Sequence, residues 1–185
     1  MRDRCAAAAD RCRACGCRVP DKLVSNLAGL GFTQPTPVQR QAVTAMLSGR
    51  EVLAVAPTGS GKTLAFLVPL VAGVAVAKKY AHEAAHVRGV VLSPTRELGG
   101  QTATIARLLC KSTGVSTALA SRAIEASGMK AGRVDVLIGI PARMAQMAAA
   151  GEVDLARCLY VVMDEADKLF EASGVRGRGG MHLWL

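Results

Sequence analysis

Aromatic side chains are scarce, at 3% of 185 residues: three Phe, two Tyr and one Trp. A core built around large rings is excluded, so Ala, Val and Leu must supply it from the 51% of the chain that is apolar. Long apolar runs are missing as well. None reaches the roughly 18 uninterrupted residues that a membrane helix needs, so no membrane partner is expected. The first residues carry arginines without an apolar stretch, which argues against a secretory signal. Cys12-x-x-Cys15 has no second pair and no suitably spaced histidine, and half a tetrahedral site does not hold zinc. Acids are outnumbered, 14 against 23 Lys and Arg, for a formal charge of +9 that suits a polyanionic partner. There are no internal repeats and no Ser/Pro-rich linker. The length fits one domain of ordinary size.

Residues 1–18 are rich in Ala, Arg and Cys without a period, and read as a disordered, reduced tail in preference to a weak transit segment. The organised chain is expected over 19–173, and 174–185 is a flexible basic tail whose Trp184 carries no assignable role. Leu23, Leu27 and Leu30 fall at helical spacing before Gly31, and Pro37 can open a helix through Leu47. Apolar runs at Val52–Ala56, Gly89–Ser93, Val115–Leu119, Val134–Ile138 and Leu159–Met163 predict strands. Between them the pattern predicts helices over Leu64–Val76, Glu97–Lys111, Arg122–Lys130 (weakly) and Ala142–Ala150, the last opened by Pro141. Alternating strands and helices give an α/β domain: a parallel sheet with helices on both faces and ligands at the carboxyl ends of the strands.

Ala56-Pro57-Thr58-Gly59-Ser60-Gly61-Lys62-Thr63 joins the first predicted strand to the first long helix. Gly59 and Gly61 let the backbone curl and aim successive N–H groups at an anion, and the helix start adds its dipole. Lys62 supplies an ammonium for outer phosphates and the Thr63 hydroxyl a magnesium ligand. Further along, Asp164-Glu165-Ala166-Asp167 follows a strand. Asp164 can hold Mg²⁺ opposite Thr63, through water, and Glu165 can orient or deprotonate an attacking water. ATP and Mg²⁺ are the expected cofactors.

Together these stretches resemble the first RecA-like domain, a P-loop NTPase fold, of a DEAD-box RNA helicase. The likeness runs from about Pro20 to Glu171 and rests on Gly31–Gln39, Ala56–Thr63, Leu64–Leu70, Pro94–Gln101, Gly139–Arg143 and Asp164–Asp167. The resemblance implies that Gln39 reads the adenine edge, Phe32 stacks on the base, and Thr95, Arg96 and Arg143 touch the RNA backbone without reading its sequence. It also implies an RNA-dependent ATPase, here as a monomer. Ser93–Leu98 and Asp167–Glu171 are similar to the branch that works on small-subunit ribosome assembly. That likeness implies pre-ribosomal RNA and the nucleolus, with the cytoplasm as the alternative.

Departures from the family pattern weigh on the RNA side. Ile140 and Ala142 stand where threonine and glycine are usual, Ser121-Arg122 replaces a glycine pair, Gly99-Gly100 precedes Gln101, and Lys22 takes the place of an aromatic. The chain ends before the family's Ser-Ala-Thr motif and second domain, so it is expected to be truncated, to bind ATP·Mg²⁺ weakly, to hydrolyse it poorly and not to unwind RNA alone. The competing readings are a non-catalytic nucleic-acid-binding module and a different P-loop ATPase.

Overall fold

The computed structural model describes residues 19–80, 86–121 and 134–173. Both expected tails, Trp184 and the weak helix Arg122–Lys130 lie outside them. The described residues group into two compact units: 19–80 with 108–115, and the remainder.

The first unit is helical. Helix α1 (Asp21–Gly29) ends where the Phe32 N–H returns to the Leu27 carbonyl at 3.0 Å, which sets Phe32 just past the helix. Helix α2 (Pro37–Leu47) has proline in its first turn, where a missing N–H costs nothing, and the Thr36 N–H donates to Gln39 Oε1 at 2.9 Å. Helix α3 (Lys62–Tyr80) is longer than its apolar run predicts and holds Pro69 in its interior. It is long and apolar enough to cross a bilayer by length and composition, contrary to the count of uninterrupted residues. Leu64, Leu67, Leu70, Val71 and Val74 are nevertheless buried in the unit, as a core helix requires.

Val52–Ala56 departs from expectation. No strand forms there, and Leu53 and Val55 are 70% and 92% exposed. A strand is stabilised by its neighbours rather than by its own composition, and these residues make no ladder bond among the described residues.

The second unit is a four-stranded parallel sheet in the order β2-β3-β1-β4, formed by β1 (Gly89–Leu92), β2 (Thr117–Leu119), β3 (Val136–Gly139) and β4 (Tyr160–Met163). Leu92 pairs with Gly139 on one side and Met163 on the other, so the carboxyl ends of the three strands are level. With them belong α4 (Arg96–Cys110, whose last turn counts with the first unit), α5 (Pro141–Ala149) and α6 (Ala166–Ser173). Gly99 and Gly100 remain helical inside α4 despite their propensity cost. Val90, Leu137, Met144 and Met147 share one apolar cluster, while Val91, Val136 and Ile138 are buried too, so β1 and β3 are covered on both faces. Under the amino ends lies a fully buried ion pair, Arg88 Nη1 to Asp135 Oδ1 at 3.0 Å. Cys158 is half-buried, and burial raises its thiol pKa above the ordinary value.

Gly139 closes β3 against a neighbour. A Cβ there would stand 2.8 Å from the Ala120 Cβ and 3.3 Å from the Met144 methyl. Ala120 is short and tied to its backbone, so the added methyl must move the strand end. Gly139→Ala is expected to cost about 1–3 kcal/mol in urea unfolding. A change below about 0.5 kcal/mol would show that the strand end yields freely.

Candidate nucleotide and RNA sites

The phosphate loop lies in the first unit. Gly59 and Gly61 take φ of +80° and +90°, a curl that residues with a Cβ adopt at a cost. At Gly61 the constraint is double, because a Cβ would overlap the Gln39 amide nitrogen. The amides of Gly61, Lys62 and Thr63 at the start of α3 have no acceptor among the described residues, and the Ser60 hydroxyl is buried without a partner. Lys62 folds back over the loop, its Nζ donating to the carbonyls of Ala56 and Pro57, the latter at 3.0 Å. Unpartnered donors at a helix N-terminus, an orphaned hydroxyl and a mobile ammonium are the donor set that a polyphosphate fits. Pro57, Thr58 and Gly59 are exposed, whereas Ala56, Ser60, Gly61, Lys62 and Thr63 are half-buried.

Gln39 joins this loop to a pocket of about 80 Å³ lined by Phe32, Gln34, Pro35 and apolar residues of α1, α2 and α3. Its Nε2 donates to the Gly61 carbonyl at 3.0 Å while its Oε1 accepts from Thr36. A side-chain amide has two N–H donors and two lone pairs, so one of each remains, the pair that an adenine edge requires. Phe32 is 46% exposed at the mouth, leaving a ring face for a base.

The remaining predicted residues follow strands of the second unit. Thr95 and Arg96 come after β1, Arg143 after β3, and Asp164 and Glu165 after β4, at the level carboxyl ends of three adjacent strands, each about 4.8 Å from the next. The Thr95 Oγ1 accepts the Leu98 N–H at 3.3 Å, capping α4 and leaving its own O–H to donate. Arg96 is exposed and makes no ion pair among the described residues. The Asp164 N–H donates to the Leu92 carbonyl at 2.9 Å, extending the ladder by one step. Glu165 then takes φ +50°, a left-handed value that is unusual for a side-chain-bearing residue and is concentrated at functional turns. Its Oε2 accepts from Lys168 Nζ at 2.8 Å. No cluster of three His, Cys, Asp or Glu occurs among the described residues. Magnesium does not need one, since one or two oxygen ligands plus phosphates and water suffice.

Two partners were not foreseen. The Glu165-x-x-Lys168 spacing is a local signal that could have been read, since a side chain just before a helix can reach the first turn. Arg143 pairs with Glu152 at 3.6 Å, nine positions away, which no local period indicates.

Residues 36–178 match the family model described as DEAD/DEAH box helicase. Two similar relatives are "DEAD-box ATP-dependent RNA helicase 57" of Oryza sativa subsp. japonica, 45% identical over 150 residues, and "ATP-dependent RNA helicase ROK1" of Meyerozyma guilliermondii, 37% over 159. The alignments take in 80% and 84% of this chain and only 27% and 29% of those proteins. The crystal structure of a DEAD box protein from the hyperthermophile Methanococcus jannaschii superposes with a TM-score of 0.71, covering 85% of this chain and 42% of that one. At 24% identity that likeness establishes the RecA-like fold alone.

Proposed function

Because the chain belongs to the DEAD/DEAH box helicase family, we propose that it is the ATP-binding half of an RNA-dependent ATPase. The observation that carries this reading is Gln39, which holds the phosphate loop through Gly61 and keeps one donor and one acceptor beside the apolar pocket. Phe32 stacks on the base, the loop amides and the Ser60 hydroxyl receive the phosphates, and Lys62 exchanges two backbone carbonyls for phosphate oxygens. Thr63 and Asp164 are each proposed as a Mg²⁺ ligand, and the ion, when bound with ATP, would neutralise charge developing on the phosphates. Glu165 orients the attacking water and accepts its proton, with its turn fixed by the left-handed backbone and Lys168.

Thr95, Arg96 and Arg143 bind RNA phosphates and sugars, so binding is sequence-tolerant. Ser93–Leu98 and Asp167–Glu171 favour pre-ribosomal RNA as the substrate and the nucleolus as the place of action. The protein works as a monomer. Completing the catalytic site falls to a second domain, whose arginine would be worth on the order of 10³ to 10⁵ in rate.

Competition tests the reading. A fluorescent ATP analogue bound to this chain with Mg²⁺ is expected to be displaced by ATP at least tenfold better than by GTP, because the reading assigns the free donor and acceptor of Gln39 to the adenine edge. Equal displacement by GTP would remove the adenine assignment, and no binding of either would remove the nucleotide site.

A further inference from the structure

Arg143 does not stand open toward solvent. Its side chain is 16% exposed, and its Nη2 lies 3.6 Å from the Glu152 Oε2, whose side chain is 38% exposed. That separation exceeds the 2.7–2.9 Å of a charge-assisted hydrogen bond, so the contact is a loose ion pair, one that a phosphate oxygen can displace. Glu152 is nevertheless held in place. Arg143 sits in the first turn of α5, and the helix ends at a left-handed Gly151 whose N–H donates to the Ala148 carbonyl at 3.1 Å. The Glu152 N–H then returns to the Met147 carbonyl at 2.9 Å. This capping turn brings a carboxylate from beyond the end of the helix back to the arginine at its start.

We propose that Glu152 is a positioning residue that holds Arg143 as an internal stand-in for an RNA phosphate and gives it up when RNA binds. The inference rests on the assignment of Arg143 to RNA made above and adds a competing group to it. Binding a phosphate at Arg143 then means breaking one ion pair and leaving the Glu152 carboxylate to recapture a counterion. RNA affinity is thereby lowered, and so is its dependence on salt. Glu152 touches neither nucleotide nor reacting atoms, and its effect passes through one guanidinium.

The test is single-stranded RNA binding across a salt series with the full chain, for the parent, Glu152→Gln, Arg143→Ala and the double variant. Glu152→Gln is expected to tighten binding about two- to fivefold, the range for release of a loose ion pair near the surface, and to steepen the log–log salt slope by up to about 0.7, one additional phosphate contact. Both effects should vanish in the Arg143→Ala background, while the affinity for the ATP analogue stays unchanged. Unchanged or weaker RNA binding by Glu152→Gln, with its melting curve intact, overturns the proposal. So does an equal gain when Arg143 is already alanine, since that gain would come from net charge alone. If the parent chain shows no salt-dependent RNA binding, the RNA assignment itself fails and takes this inference with it. RNA binding by the parent with no response to Glu152→Gln removes the inference alone.

Discussion

Replacing Arg88 with alanine is expected to remove about 3–5 kcal/mol of stability, because it strands a buried carboxylate. Arg88 and Asp135 are 2% and 1% exposed. The carboxylate takes Arg88 Nη1 on Oδ1 and, on Oδ2, the N–H and the hydroxyl of Ser116, both at 2.8 Å. The backbone is tied into the same knot. Arg88 and Gly89 donate to the Asp135 carbonyl, and Leu159 and Tyr160 donate to the Arg88 carbonyl. Residues at the amino ends of all four strands therefore meet around one charge pair, from which Arg88→Ala takes the guanidinium. Against a total stability of about 5–15 kcal/mol for a typical domain, the loss removes about a fifth or more. Urea unfolding of parent and variant measures it. A loss under 1 kcal/mol would mean that the sheet opens enough to hydrate Asp135. A double-mutant cycle with Asp135→Asn then isolates the ionic coupling from the hydrogen bonds to Ser116.

That knot was invisible in the sequence, as were Glu152 beside Arg143 and the unpaired Val52–Ala56. What the sequence shows well is local. Apolar runs predicted β1 and β4 to within a residue, and β2 and β3 to within two; for β1 and β3 the reason is that a parallel strand covered on both faces reads as an unbroken apolar run. Proline at the start of α2 and of α5 marked both helices, because a missing N–H is tolerated best in the first turn. The glycines of the phosphate loop foretold its left-handed residues. Long-range partners are another matter. Arg88 finds Asp135 across 47 positions, and Gln39 finds Gly61 across 22, through the packing of whole elements. Val52–Ala56 shows the same limit from the other side. Its composition satisfies a strand, but no ladder forms there, and Val55 is left exposed.

Lys62→Ala is expected to weaken binding of an ATP analogue about 10- to 100-fold while leaving RNA affinity within twofold. Hydrogen bonds between charged groups contribute about 1.5–3 kcal/mol each when both partners are held, which sets the range. Here the ammonium caps the carbonyls of Ala56 and Pro57, contacts that a phosphate replaces with stronger ones, so its removal is felt mainly in the bound state. The loop amides and the Ser60 hydroxyl remain, so some affinity should survive. The proposed RNA contacts are instead Thr95, Arg96 and Arg143, which follow strands of the other unit. With two or three phosphate contacts, a fourfold rise in salt should weaken single-stranded RNA binding roughly tenfold in parent and variant alike. Fluorescence titration with the analogue and with RNA reads both quantities from one preparation. Loss of RNA binding together with nucleotide binding would mean that Lys62 serves a shared polyanion surface. Retention of full nucleotide affinity would mean that the loop holds no phosphate, and Glu165 would have no bound nucleotide on which to act.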